Sequence, residues 1–330
     1  TITAVILAAL AATYLAKKIK MPSVVALILI GLVMDIPLIK DYVVGTNGQI
    51  IYLIGDAGLI ALMFLAGIES SWRLLFNEKK DAAVIAIFGA IVPFVLGFSV
   101  MLLLEFSVSI AVVVGICMSI TAEATKAKVL LELNKLKTKV GAAMMGAGII
   151  DDLIGLFLFI AATHTIKGIS IEEDILIIGA IIAFFIGVAL PHKLERDHPL
   201  MKKGEKALHV LLVPFFFISM GLHFDMGSII INPWILVAVL LAAIAGKLGG
   251  AMLSKPLTDF SWKQLFLIGW GMNSRGAVGI ALALIAFRSG LIPANIYSSL
   301  ILMALTATMI FPFIIAYMIK KNHHIMAGKR

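Results

Sequence analysis

Residues 138–162 read TKVGAAMMGAGIIDDLIGLFLFIAA, an apolar run that contains two adjacent aspartates, Asp151 and Asp152, near its middle. A run of this length can cross a bilayer as one helix. Ionisable side chains at membrane depth cost several kcal/mol unless they are paired or hydrated, so they mark a functional site. The aspartate pair therefore predicts a membrane protein with a functional site inside one of its transmembrane helices.

The composition of the whole chain excludes a water-soluble domain. The 330 residues are 61% hydrophobic and 14% charged, with a mean hydropathy of +1.08, whereas soluble domains are roughly half apolar and a quarter charged. At about 20 apolar residues per span, the length allows roughly ten to twelve spans and no soluble catalytic domain. The single cysteine, Cys117, lies in an apolar run, so no disulfide and no cysteine metal site is expected.

Apolar runs separated by charged or turn-rich connectors predict an all-α polytopic membrane protein. Two of the runs have polar interruptions at mid-span, in residues 119–125 (SITAEAT) and 269–276 (GWGMNSRG). Such interruptions are typical of unwound backbone that lines a cavity, where the ends of half-helices bind ions. About eleven transmembrane helices are predicted, at residues 2–16, 22–39, 50–68, 82–104, 107–133, 138–162, 174–191, 207–224, 233–254, 263–287 and 295–319.

Basic residues are distributed unevenly between alternate connectors. Of the 27 Lys and Arg residues, 20 lie in one set of connectors and the C-terminal tail, three (Lys40, Lys167 and Arg288) lie in the opposite set, and four lie inside spans. The positive-inside rule places the first residue of the chain outside and the last one in the cytoplasm, so the protein is expected in the plasma or inner membrane. The net charge of +8 is thus a topology signal, and nucleic-acid binding is not expected.

The ionisable residues inside the spans predict where the chemistry lies. Adjacent residues on a helix project about 100° apart, so one aspartate is expected to face a neighbouring helix and the other an aqueous cavity. A lysine such as Lys247 beside one of the aspartates would keep that one ionised while the other exchanges a proton. A buried ion pair that only orients helices is the alternative, but it needs no second carboxylate, whose desolvation costs free energy. The intramembrane residues are Glu123, Lys126, Lys128, Asp151, Asp152, Lys247 and Arg275.

The two interrupted helices run in opposite directions through the membrane in this orientation. Each is the middle helix of a triplet, within residues 82–162 and 233–319, so the two triplets are predicted to form an inverted repeat with a binding site at its midplane. For either segment alone, the alternative is a Gly-rich packing face with hydroxyl groups bonded back to the helix.

Several short motifs carry a family resemblance over nearly the whole chain. They are KMPSVV (20–25), FLAGIE (64–69), Thr121, GIIDD (148–152), FFFISMGL (215–222), GK (246–247) and SRGA (274–277). They resemble the sodium/proton antiporters of the cation:proton antiporter superfamily, closest to the NapA/NhaA-type electrogenic group with its two crossing discontinuous helices. The resemblance implies that Asp152 carries the ion and the proton, while Asp151 pairs with Lys247. It also implies that Thr121 lies where the broken helices cross.

The same resemblance implies how the chain is divided. Scaffold and dimerisation helices are expected at 1–68 and 174–224, core repeats at 82–162 and 233–319, and a cytoplasmic tail at 320–330. The expected Na⁺ ligands are Asp151, Asp152 and Thr121, with Lys247 as the charge partner. The expected supporting residues are Ser119, Glu123, Thr125 and Arg275.

Two departures from the family pattern affect these expectations. Asp152 and Lys247 are 95 positions apart, whereas family members usually carry about fifty more residues, enough for two further helices. The chain is therefore either a shorter architecture or lacks a segment near 165–180. Ala277 follows Arg275 and Gly276, as in the electroneutral NhaP-type branch, although that branch usually has Asn-Asp in place of Asp-Asp. Arg275 is thus a competitor of Lys247 as the partner of Asp151 or Glu123.

The expected function is secondary active exchange of Na⁺ or Li⁺ for protons by alternating access, electrogenic, in a homodimer, with no cofactor beyond the transported ions. A K⁺/H⁺ antiporter and an electroneutral exchanger remain alternatives with similar chemistry. An ion channel and an organic-anion carrier are alternatives of other classes. An intramembrane aspartyl protease is disfavoured, because its two aspartates must converge from different helices, whereas Asp151 and Asp152 are adjacent on one helix.

Overall fold

The computed structural model describes residues 2–18, 23–36, 39, 48–69, 79–168, 175–190, 199–322 and 325–326. All regular structure within these ranges is helical. The α-helices are α1 (Ile2–Lys18), α2 (Ser23–Met34), α3 (Gly48–Glu69), α4 (Lys79–Leu103), α5 (Val108–Ser119), α6 (Glu123–Glu132), α7 (Lys139–Lys167), α8 (Ile175–Ala189), α9 (Pro199–Leu211), α10 (Val213–Leu222), α11 (Met226–Ile231), α12 (Pro233–Leu253), α13 (Trp262–Gly271), α14 (Ala277–Arg288) and α15 (Ala294–Lys321).

Each predicted apolar run contains an apolar helix. In the described ranges, six helices are long and apolar enough to cross a membrane, and five shorter apolar helices have 10–17 residues. The all-α fold is therefore confirmed. The number of eleven membrane crossings stays a prediction. Five of the helices are shorter than a usual span, and two of these five are halves of the interrupted runs. The beginning of the KMPSVV motif lies outside the described residues.

One predicted helix has different limits in the structure. The run at 207–224 is two helices, because α9 ends at Leu211 and α10 begins at Val213. Pro214 has no backbone N–H, and its ring clashes with the carbonyl of the residue four positions earlier, which favours a break between α9 and α10. The Lys-rich stretch at 202–206, which the sequence predicts as a connector, is part of α9.

The chain divides into two compact units, each built from two separate stretches of sequence. Unit 1 is residues 1–69 with 171–226, and unit 2 is residues 70–170 with 227–330. The two interrupted helices and the aspartate pair lie in unit 2.

Unit 1 is held together by close approach of helix backbones at glycines. A methyl group on Gly31 of α2 would lie 2.8 Å from the Cα atom of Gly221 on α10. A methyl group on Gly67 of α3 would lie 3.0 Å from the Cα atom of Gly187 on α8. Small residues at helix interfaces allow this approach in membrane proteins. The glycines of the FLAGIE and FFFISMGL motifs therefore have a packing role.

Unit 2 is arranged around α4, which packs against α5, α7 and α12. A methyl group on Gly246 of α12 would lie 2.6 Å from the Cα atom of Pro93 on α4. The apolar core of this unit includes Ile85, Met144, Leu265 and Phe311, all fully buried. This packing places α7, which carries the aspartates, and α12, which carries Lys247, against the same helix, α4.

Candidate functional site

The two interrupted helices meet at their breaks. Between α5 and α6 the chain is extended, with φ −84° and ψ 145° at Ile120 and φ −107° and ψ 109° at Ala122. Ala122 N donates to Ser274 O at 2.9 Å, and Ser274 Oγ donates to Ala122 O at 3.0 Å. Backbone groups released by each break thus find partners in the other break.

Two cations bind the carbonyl end of α5. Lys247 Nζ donates to Ser119 O, and the Arg275 guanidinium donates to Met118 O and to Ile120 O, the latter at 2.9 Å. The last carbonyls of a helix have no partner within the helix and carry a partial negative charge. A lysine and an arginine here therefore stabilise a helix end that is buried inside unit 2.

Asp151 and Lys247 form a fully buried ion pair. Lys247 Nζ lies 2.7 Å from Asp151 Oδ2, and both side chains are 0% exposed. Thr121 Oγ1 donates to the other carboxylate oxygen of Asp151 at 3.0 Å. Lys247 thus donates to two oxygens, and each carboxylate oxygen of Asp151 accepts from one donor. A buried charge requires such partners.

Asp152 is buried without an ion-pair partner among the described residues. Its residue exposure is 3%, and its Oδ1 accepts a hydrogen bond of 3.4 Å from the backbone N–H of Thr121. Thr121 therefore contacts both aspartates, one through its hydroxyl and one through its backbone. The negative charge of Asp152 has no cation of the protein within ion-pair distance in the part of the chain described.

Glu123 forms a second buried ion pair next to the first. Lys126 Nζ lies 2.7 Å from Glu123 Oε1 and also donates to Met144 O at 3.0 Å. Thr121 Oγ1 lies 3.4 Å from Glu123 Oε1. The pairing follows from an i, i+3 spacing on α6, which is the one sequence signal that identifies Lys126 as the partner.

The structure corrects the expectation for Arg275. Within the described residues Arg275 forms no ion pair with Asp151 or Glu123, because its guanidinium donates to carbonyls, including Ala243 O at 3.3 Å. Thr308 fixes its backbone by accepting from Arg275 N at 3.0 Å. Thr308 is a site residue that the sequence analysis missed, although a threonine inside a span is a recognisable signal.

Other predicted residues lie farther from the carboxylates. The Ser119 hydroxyl donates to Ala90 O at 2.9 Å or to Gly115 O at 3.0 Å, so its contribution to the site is its carbonyl. Thr125 is partly exposed and makes no side-chain hydrogen bond to the carboxylates in the described structure. Lys128, predicted inside a span, is exposed on α6.

The described residues hold no group of three or more His, Cys, Asp or Glu side chains with the arrangement of a metal centre. The site is instead three carboxylates around Thr121, two of them neutralised by lysines. Paired charges at the meeting point of two broken helices are typical of ion transporters.

Comparison with known proteins agrees with this class. The sequence model of the family described as "Sodium/hydrogen exchanger, transmembrane" matches residues 5–191 and 177–321. The chain belongs to this family, so it is a multi-pass membrane transporter and not an enzyme. The predicted membership of the cation:proton antiporter superfamily is confirmed, while the NapA/NhaA-type assignment within it stays a prediction.

Individual relatives are similar over nearly their whole lengths. The chain is 26% identical to the Na⁺/H⁺-K⁺ antiporter GerN of Bacillus cereus over 357 aligned positions, covering 92% of this chain and 91% of that protein. It is 24% identical to a Na⁺/H⁺ antiporter of Enterococcus hirae over 373 positions, covering 94% of each. Both alignments are longer than the 330 residues of this chain, so they contain positions that this chain lacks.

A solved structure has a similar fold. The sodium proton antiporter MjNhaP1 of Methanocaldococcus jannaschii superimposes with a TM-score of 0.66 at 16% identity, covering 96% of this chain and 95% of that one. The similarity is one of fold and extends over both units.

Proposed function

We propose that this protein exchanges Na⁺ or Li⁺ for protons across a membrane, with Asp152 as the group for which the ions compete. The observation that carries the proposal is the charge arrangement. Asp151 and Glu123 each have a lysine at 2.7 Å, whereas Asp152 has no cation partner in the described residues. A bound Na⁺ or a bound proton neutralises the same charge, and one carboxylate does not hold both.

Thr121 and Asp151 are proposed to complete the cation site. Hard monovalent cations prefer oxygen ligands, and Thr121 already contacts both aspartates, at 3.0 Å and 3.4 Å. A cation bound at Asp152 would therefore find the hydroxyl of Thr121 and the carboxylate of Asp151 within reach. Lys247 would compete with that cation for Asp151.

Alternating access is proposed because the site is buried. Asp152 is 3% exposed and Asp151 is 0% exposed, so neither reaches bulk water in this conformation. Transport requires conformations that open the site to one side of the membrane at a time. Because exchange of the two ions at Asp152 is competitive, such a cycle couples their movements in opposite directions.

The test is Na⁺- and Li⁺-dependent dissipation of a pH gradient in proteoliposomes. We expect Asp152→Asn to abolish the response, because asparagine carries no negative charge for either ion. Asp259→Asn is the matched control, since Asp259 is exposed in the same unit, and it should retain activity. Activity that survives Asp152→Asn would contradict the proposal.

The transported ion has a second candidate. GerN, one of the similar proteins, is named a Na⁺/H⁺-K⁺ antiporter, which favours K⁺ as an alternative substrate of this chain. Replacing Na⁺ with K⁺ in the same proteoliposomes decides between them. Proton movement driven by K⁺ alone would assign the alternative.

We further propose electrogenic exchange in a homodimer whose scaffold is unit 1, with the last residue of the chain on the cytoplasmic side of the cell membrane. The support is the family resemblance and the 20 basic residues on one set of connectors. Electrogenicity requires that the Asp151–Lys247 pair also release a proton when the cation binds. A measured mass of one chain per detergent micelle would reject the dimer.

A further inference from the structure

A groove on unit 2 lies where three helices end. α12 ends at Leu253, α13 begins at Trp262 and α15 ends at Lys321, and the three helices pack against one another. The groove has a volume of about 550 Å³, within the range of about 300–1,000 Å³ that is usual for ligand sites. It shares no lining residue with the aspartate site, so the proposed ion exchange does not account for it.

The lining of the groove combines apolar side chains with two cations. Met252, Phe266 and Met318 supply apolar surface, while Lys263 and Lys321 supply positive charge. Among the described residues, no carboxylate lines the groove, and neither lysine has an ion-pair partner there. A lining of this kind is complementary to a ligand that is anionic at one end and apolar over the rest of its length.

Two exposed aromatic side chains adjoin these lysines. Trp262, which precedes Lys263, is 56% exposed, and Tyr317 is 64% exposed. Lys321 Nζ lies 5.8 Å from the centre of the Tyr317 ring. Trp and Tyr are enriched where a membrane meets water, and lysines near helix ends extend their ammonium groups to the same level. The groove is therefore expected at the depth of the lipid headgroups.

The distribution of basic residues predicts which leaflet the groove faces. Lys263 and Lys321 belong to the set of connectors and tail that holds 20 of the 27 basic residues, so the positive-inside rule places them on the cytoplasmic side. The cytoplasmic leaflet is rich in anionic lipids, and basic pockets between helices on this side bind anionic headgroups. The expected ligand is thus available at the expected position of the groove.

We propose that this groove binds an anionic phospholipid, with the phosphate group held by Lys263 and Lys321 and an acyl chain covering the apolar lining. Ammonium groups form charge-assisted hydrogen bonds to phosphate oxygens. A free phosphate ion would neutralise the lysines but leave the surface of Met252, Phe266 and Met318 in water. A lipid without net charge would cover that surface but leave both cations unpaired. An anionic phospholipid does both.

The bound lipid would link three helices that hold the ion site together. α12 carries Lys247, α13 ends at Gly271 beside the second interruption, and α15 carries Thr308. The groove is already shaped in the protein, since Gln264 Nε2 on α13 donates to Ile325 O at 3.1 Å and so holds the segment after α15 in place. A ligand that binds only the folded state stabilises it, so anionic lipid should stabilise unit 2.

The experiment measures lipid binding by the delipidated full chain in a non-ionic detergent. Phosphatidylglycerol is titrated in, native mass spectrometry counts the lipid bound per chain, and thermal unfolding measures the stabilisation. We expect Lys263→Gln with Lys321→Gln to weaken the binding by about 30-fold, because each basic residue beside an anionic lipid contributes about fivefold. The stabilisation by phosphatidylglycerol should disappear with it. Both lysines are exposed, so the unfolding temperature without lipid should not change.

The controls separate a lipid site from general attraction between charges. Lys255→Gln with Lys320→Gln removes the same net charge from residues that do not line the groove, and it should bind phosphatidylglycerol as the wild type does. Equal weakening in the two double variants would overturn the site. Phosphatidylcholine bound as tightly as phosphatidylglycerol by the wild type would overturn the role of the anionic headgroup. Stabilisation by inorganic phosphate equal to that by phosphatidylglycerol would show a site for a free anion and overturn the lipid.

Discussion

At the scale of residues, the three carboxylates of the site differ in whether a lysine pairs with them. Lys247 binds Asp151 and Lys126 binds Glu123, each at 2.7 Å, and each lysine also binds a helix carbonyl. Asp152 has only a backbone N–H in the described structure. This asymmetry gives two adjacent aspartates different chemistry although they share one helix turn.

Removal of one partner of the Asp151–Lys247 pair measures how much free energy it costs to bury an unpaired charge. We expect Lys247→Met to lower the free energy of unfolding by about 3–5 kcal/mol, because it leaves a buried carboxylate without its cation. Addition of Asp151→Asn should restore most of that loss. Thermal unfolding in detergent measures both. If the double variant is as unstable as the sum of the two single variants, the two side chains are not coupled as the structure indicates.

At the scale of elements, the breaks depend on close backbone approach. A methyl group on Gly276 would lie 2.6 Å from the Cα and Cβ atoms of Ala122, and this contact adjoins the hydrogen bonds between Ala122 and Ser274. The glycine of the SRGA motif therefore allows the two broken helices to cross. Their crossing in turn places Thr121 beside both aspartates.

Gly276→Ala is expected to separate the two breaks. We predict a loss of about 1–3 kcal/mol of stability, typical of overpacking, together with reduced transport. Gly249→Ala is the matched control, because its nearest neighbour, Val92 Cγ1, would lie at an ordinary 3.7 Å. Equal unfolding temperatures for the two variants would show that the contact at Gly276 does not constrain the crossing.

At the scale of the whole molecule, the membrane potential tests the proposed electrogenic exchange. If two protons enter for each Na⁺ that leaves, one net charge crosses the membrane, which is worth about 2.3 kcal/mol per 100 mV. An inside-negative potential in proteoliposomes oriented as in the cell should then accelerate Na⁺ extrusion. A rate that is independent of the imposed potential would favour the electroneutral alternative suggested by Ala277.

The sequence by itself determined the apolar helices, the two interruptions and the position of the aspartate pair. These features depend on local patterns, because hydropathy, helix-breaking residues and charged residues can each be recognised within the sequence of a single span. The break at Leu212 was missed because a proline inside an apolar run is common in membrane helices and gives no unambiguous signal.

Only the tertiary structure decided which groups Lys247 and Arg275 bind. Lys247 and Asp151 are 96 positions apart, and Arg275 reaches Met118 across 157 positions. Sequence reasoning left Arg275 and Lys247 as competitors for the same carboxylates. The competition is resolved by which helices meet, because a cation binds the nearest unsatisfied oxygen, and for Arg275 these are the free carbonyls at the end of a broken helix.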